Sequence, residues 1–377
     1  MSQLQWNKFI GQERIKNVLS SAFVNNTLGH AYLLCGDAGT GKFAAAFELA
    51  MALLCKSQDQ KPCGSCDSCT RMLKYGHPDF HVVLPVAPEA EHKKKDGTLN
   101  DEGWKFISES VIRRIQNPYH IRTYSSIPSI PIDWIKEVNQ SILRGALEGE
   151  RSIAIIDGID MLNDDSANAM LKTLEEPPAG TLILLLTNKI HALLPTILSR
   201  CQILRFAWLS PEEISAELVK MYGGSPDDKR IKDLSYCGSL GRALHLHENP
   251  GADVIDDAIK FWTLCERGMW NDVFELCDQL VKLDDYGLYE KFFRETMELV
   301  RNAFFAKLEG TENYIRGKSS SEIHFHTYDG LEKVEDLMEI CEKALSRIAH
   351  RANISLVFAN FAISLMEIVN VEKQQPC

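Results

Sequence analysis

No apolar run in this chain approaches the roughly 18–20 residues that a membrane-spanning helix requires, so a membrane partner is not expected. The N-terminus, Met1-Ser2-Gln3-Leu4-Gln5-Trp6, lacks the basic-then-apolar order of a secretory signal. A cytoplasmic chain is the resulting expectation. Positive charge is in deficit: 41 Lys and Arg stand against 52 Asp and Glu, a net charge of −11. That balance argues against wrapping nucleic acid by the overall field and leaves only local basic contacts. No internal repeat is present, which excludes a solenoid.

Cysteine is not scarce. Of 11 cysteines, Cys55, Cys63, Cys66 and Cys69 cluster in C-x7-C-x2-C-x2-C spacing. In a reducing compartment such a cluster suggests a metal before disulfides. Four thiolates form a closed tetrahedral Zn2+ site, which leaves no position for water and is therefore structural. Two disulfides or free thiols are the alternative. His77 and His81 lie nearby, but four sulfurs already complete the shell, so both read as ordinary histidines.

At 377 residues, 45% hydrophobic and 25% charged, the chain is expected to form two or three globular domains. Five apolar stretches read as strands: Ala31–Cys35, Phe80–Leu84, Ile153–Ile156, Thr181–Asn188 and Gln202–Phe206. Helical segments separate them, the pattern of a parallel, doubly wound sheet. The central strand ends in Asp157, a carboxylate at the carboxyl end of a strand, where open α/β sheets place ligands. A helix follows it, with Asp164, Asp165 or Ser166 as cap, Ala167, Met170, Leu171 and Leu174 on one face, and Pro177-Pro178 as stop. Glu175 and Glu176 fall in its last turn, where the helix dipole disfavours them. They serve a neighbouring surface or form a solvated acidic end.

The first strand runs into Gly36-Asp37-Ala38-Gly39-Thr40-Gly41-Lys42-Phe43 and then a helix former, Ala44 to Leu54. Strand, glycine loop, lysine and helix make the phosphate-loop context. Backbone N–H groups, the helix start and Lys42 would all face phosphate oxygens. The last position of G-x-x-x-x-G-K-[ST] fails, because Phe43 has no hydroxyl for Mg2+. A glycine turn without ligand is the other reading. Residues 86–130 carry prolines, the run Lys93-Lys94-Lys95, Asp96-Gly97 and a short helical patch near Trp104 to Ile115, and read as a partly mobile insertion. Ser210-Pro211-Glu212-Glu213 is a helix start. Asn249-Pro250-Gly251 reads as a linker, residues 252–374 as all helix, and Gly310 to Asp329 as a polar loop. The domains so delimited are 1–208, with a cysteine module at 55–69 and the insertion at 86–130, then 209–249 and 250–377.

Together these residues resemble the bacterial replicative clamp loader family within the AAA+ ATPases. The resemblance is first to its delta prime type and second to its gamma/tau type. It covers about residues 5–370 apart from the insertion. Phe9-Ile10-Gly11-Gln12, His30-Ala31-Tyr32-Leu33, the phosphate loop, the four cysteines, Met170 to Pro178 and Ser199-Arg200-Cys201 carry it. It implies an AAA+ P-loop domain with a five-stranded parallel sheet and helices on both faces. A small helical lid at 209–249 and a helical oligomerisation collar at 250–377 would follow.

The resemblance also implies site roles. Gly36, Gly39, Gly41, Lys42, Asp157 and Asn188, the last in the sensor-1 place, fall on the nucleotide-binding positions. Three positions depart from an active member. Phe43 stands for Ser or Thr, and Gly158 for the Glu that polarises water. Gly241 stands for the sensor-2 Arg, with Arg242 one residue late. Mg2+ anchoring, water activation and charge neutralisation would all suffer, so ATP and Mg2+ are expected weak or absent here and present in neighbouring subunits. Arg200 matches an arginine that reaches a neighbour's ATP in trans; a local pairing with Glu175 or Glu176 is the alternative. The implied function is a non-hydrolysing subunit that assembles with gamma/tau and delta subunits, and through them acts on the sliding clamp and primed DNA. A gamma/tau-like ATPase and a zinc-dependent DNA-binding module are the competing readings.

Overall fold

The computed structural model describes residues 3–87, 92–94, 98–122, 128–162, 164–235, 237–248, 255–282, 286–309, 314–315, 318–319, 331–349 and 352–370. Lys95 to Gly97 of the expected loop, the linker Asn249 to Gly251, and most of 310–329 lie outside them. The chain divides into two compact units, residues 1–224 with 237–245, and 225–236 with 246–377.

The first unit is built on five parallel strands: β1 (Ala31–Cys35), β2 (Phe80–Val83), β3 (Ser152–Asp157), β4 (Thr181–Thr187) and β5 (Gln202–Arg205). Their order in the sheet is β2-β3-β4-β1-β5. Every residue of β1, β3 and β4 is buried. That explains their unbroken apolar sequence: a parallel sheet covered on both faces has no polar side to alternate with. β5 is an edge strand and mostly exposed, more open than its apolar reading implied. A short parallel pair, Gln3–Leu4 with Gln60–Lys61, ties the N-terminus to the cysteine module; nothing in the sequence pattern pointed to it.

The helix after the phosphate loop, Lys42–Leu54, is buried along almost its whole length. In its middle the Glu48 carboxylate accepts the backbone N–H groups of Asn7, Lys8 and Phe9 at 2.7–3.1 Å. A buried carboxylate is tolerated because those donors satisfy it. The expected helix start at Ser210 is present as a reciprocal cap: Ser210 Oγ accepts from the Glu213 amide, and Glu213 returns the bond to the Ser210 amide. The helix after β3 runs from Asp164 to Glu175, so Ser166 lies inside it rather than capping it; residue 163, before it, is outside the described residues.

The helix in the insertion is longer than the patch legible in sequence. It spans Asp101–Gln116, is capped by Asn100 Oδ1 on the Gly103 amide at 2.8 Å, and buries Ile107, Val111 and Ile115.

The second unit is helical: Ile255–Glu266, Trp270–Val281, Tyr286–Glu309, Leu331–Ala349 and Ile354–Asn370. Its core is aromatic. Phe293 packs edge-on against Phe361 at 4.8 Å and tilted against Phe358 at 5.0 Å, geometries that ring quadrupoles favour. A two-residue antiparallel pair, Tyr314–Ile315 with Lys318–Ser319, sits in the stretch expected to be loop. No described helix is long and apolar enough to cross a membrane.

Replacing Glu48 by Ala should lower unfolding stability by about 1–3 kcal/mol, because the buried Phe9 amide and the partly buried Asn7 and Lys8 amides lose their acceptor. Denaturant unfolding checks this; an unchanged midpoint would refute the role given to Glu48.

Candidate functional site

At the carboxyl ends of β1 and β3, Lys42 and Asp157 face one cavity. Lys42 is buried, and its Nζ donates to the carbonyl oxygens of Gly36 at 2.7 Å and Asp37 at 2.6 Å. Its ammonium is thus folded back onto its own loop. Burial pushes its pKa down to about 8, against the pull of Asp157.

Asp157 is held by the insertion. Its Oδ2 accepts from Arg114 Nε at 3.1 Å and from Arg122 Nη2 at 3.1 Å. All three side chains are mostly buried. Burial alone would raise the Asp157 carboxyl, but Arg114 and Arg122, with Lys42 behind them, hold it below the usual carboxylate value. The Arg114 guanidinium also lies 4.6 Å over the Phe43 ring, a cation–π contact, and Phe43 stacks parallel on Phe47.

The other two departures have equally direct packing reasons. Gly158 has φ +87°, and a Cβ there would sit 2.7 Å from Pro85 Cγ, so the position after Asp157 is closed to a glutamate in this backbone. A Cβ on Gly241 would run into the Tyr119 carbonyl oxygen and lie 2.6 Å from Gly39 Cα. Tyr119 is buried, and its hydroxyl accepts from the Ile10 amide at 2.8 Å. The cavity that remains is about 190 Å3, lined by Gly39, Gly41, Lys42, Asp157 and Asn188 among others. That is below the roughly 300–1,000 Å3 of small-molecule sites. Asn188 is exposed at the tip of β4, beside Thr187, whose hydroxyl donates to Asp160 Oδ1. Gly36 is set instead against Phe206.

The four cysteines come together as the spacing implied: their sulfurs all lie within 4.8 Å of one another. A tetrahedron with Zn–S bonds of about 2.3 Å has edges of about 3.8 Å, and Cys55 and Cys66 are 3.9 Å apart. Cys55 ends the helix that Lys42 begins, and Cys66 caps the helix Asp67–Leu73. Backbone amides of Cys63, Cys66 and Cys69 point at the sulfurs of Cys55, Cys63 and Cys66 at 3.4–3.5 Å. Such donors favour thiolates, the form that binds metal. The cluster could hold a metal ion, and its donor set fits zinc. Neither His77 nor His81 belongs to it; His81 sits on β2, where burial pushes its pKa down to about 4.

Arg200 is apart from the cavity lining. Its Nη2 pairs with Glu175 Oε1 at 2.7 Å, and its Nη1 donates to the Thr196 carbonyl at 2.8 Å. Local pairing with Glu175 therefore exists in the isolated chain, and the Arg200 side chain stays one-third exposed.

The family model described as DNA polymerase III, delta subunit matches residues 11–210, just over half of the chain. The DNA polymerase III subunit delta prime of Bacillus subtilis (strain 168) is 31% identical over 269 residues, 71% of this chain and 69% of that one. The chain belongs to the DNA polymerase III delta prime family. Another delta prime relative, from Haemophilus influenzae, is 29% identical over 215 residues, covering 57% of this chain and about half, 53%, of its own length. The tau subunit of Bacillus subtilis is 26% identical over 213 residues, 31% of its length.

Sequence reasoning missed Arg114, Tyr119 and Arg122. One signal was available. Arg114 falls at i+7 from Ile107 and i+3 from Val111, on the buried stripe of its helix. A cation on an apolar stripe requires a buried partner.

Substituting Asp157 by Asn should destabilise the first unit by about 2–3 kcal/mol, since two guanidiniums lose their counter-charge. The sign with pH follows from the lowered carboxyl. The native pairing contributes fully above the ordinary carboxylate range and fades as pH falls through the folded value. Below about pH 4 the wild-type chain should lose stability more steeply than the variant. Parallel acid titrations of both proteins would contradict the assignment.

Proposed function

We propose that this chain is a non-hydrolysing subunit of the replicative clamp loader in the cytoplasm. It assembles with gamma/tau and delta subunits to load the sliding clamp on primed DNA, and offers Arg200 to ATP bound by a neighbour. The observation that carries this is the contrast between two places in one unit. The Lys42–Asp157 pocket has its carboxylate and its lysine spent on internal partners, whereas the Arg200 side chain is one-third exposed and held by a half-exposed Glu175 and the Thr196 carbonyl. The competing ATPase reading needs Asp157 and Lys42 for a metal–nucleotide, and both are engaged. In this reading residues 209–249 act as the lid, 250–377 as the oligomerisation collar, and the four cysteines hold a structural Zn2+.

Arg200→Ala should leave assembly with gamma/tau and delta intact and cut the complex's DNA-stimulated ATPase several-fold, since trans arginines contribute about 10³–10⁵ in related systems. Normal ATPase from an intact variant complex would remove the mechanism. For the cysteine module, elemental analysis of the purified chain should find one zinc per chain. Cys63→Ser should lose it and lower the melting temperature. A metal-free wild-type protein of equal stability would exclude the zinc role.

A further inference from the structure

The three positions that depart from an active ATPase share an unexpected feature: each is packed by a residue from, or just before, the insertion. Phe43 lies under the Arg114 guanidinium, Gly158 against Pro85, and Gly241 against the Tyr119 backbone. Independent decay of catalytic residues would leave an emptier pocket. Here the pocket is rebuilt around new atoms.

We infer that the helix Asp101–Gln116 and the turn through Arg122 form an internal plug. It braces the phosphate loop in place of a metal–nucleotide and keeps nucleotide out. Arg114 and Arg122 bring two fixed positive charges to the Asp157 carboxylate, the charge compensation a divalent cation would otherwise give. Guanidinium forks suit this, being permanently charged, planar and weakly hydrated. Phe43 then follows from Arg114: a flat ring supports a guanidinium that a hydroxyl would not. Tyr119 completes the plug. Its hydroxyl joins the Ile10 amide, a Cβ on Gly41 would meet that hydroxyl at 3.0 Å, and its carbonyl fills the place where a sensor-2 side chain would start. What remains is too small for a nucleoside triphosphate. The described stretch of the insertion from Asp101 to Arg122 thus gains a role as the part that fills the pocket. The inference rests on the proposed function only in taking this as the family's nucleotide pocket.

The test uses the full chain and N-methylanthraniloyl-ADP with Mg2+. Wild type should show no saturable fluorescence change, and Arg114→Ala/Arg122→Ala should bind the probe at least tenfold more tightly. Equal behaviour of the two folded proteins, whether both bind or neither does, overturns the plug. Should the double variant fail to fold, hydrogen–deuterium exchange on wild type decides. Peptides spanning 105–122 should exchange at the same slow rate with and without excess Mg-ATP. Faster exchange on adding nucleotide would show displacement and overturn the inference. Either failure leaves the Arg200 mechanism standing, because that is read from the assembled complex's ATPase.

Discussion

The first unit depends on how it satisfies one carboxylate. Asp157 ends β3, an interior strand buried along its whole length, so its place is fixed by the sheet. A mostly buried carboxylate is costly unless paired and hydrogen-bonded. Arg114 and Arg122 provide both, at 3.1 Å each. Much of the surrounding sequence follows from that arrangement. The ring of Phe43 floors Arg114, Pro85 crowds Gly158, and Lys42 turns to the loop carbonyls of Gly36 and Asp37. The site reads as a structural core that retains the outline of a phosphate loop.

The same economy runs along the helix Lys42–Leu54. Its first residue closes on the glycine loop, Glu48 in its middle anchors the N-terminal segment, and Cys55 at its end enters the cysteine cluster. One rigid helix of about 20 Å therefore ties three otherwise separate features. A change at any of them is felt as a shift of the whole element rather than a local adjustment, because packed interiors transmit strain.

The sheet was legible from sequence because buried parallel strands leave continuous apolar runs, as in Ile153–Ile156 and Leu182–Leu186. The cysteine module was legible because its four thiols sit at short, fixed spacing. The phosphate loop and the departures at Phe43, Gly158 and Gly241 were legible in the sequence, but what packs against them required three dimensions. Arg114 and Arg122 reach Asp157 across 43 and 35 residues of chain, and no local period encodes that meeting. Tyr119 acts partly through its backbone carbonyl, which side-chain identity does not announce. The apolar reading of Gln202–Phe206 missed that β5 is an edge strand, because edge position is a property of sheet order.

The half-open pair between Arg200 and Glu175 has a consequence of its own. Ion pairs this accessible are worth about 0–1 kcal/mol, so Glu175 aims the guanidinium without confining it. An incoming polyanion would exchange one negative partner for a stronger one. Little of its attraction would be consumed in displacing the carboxylate, while the bond to the Thr196 carbonyl would keep the guanidinium anchored at one nitrogen.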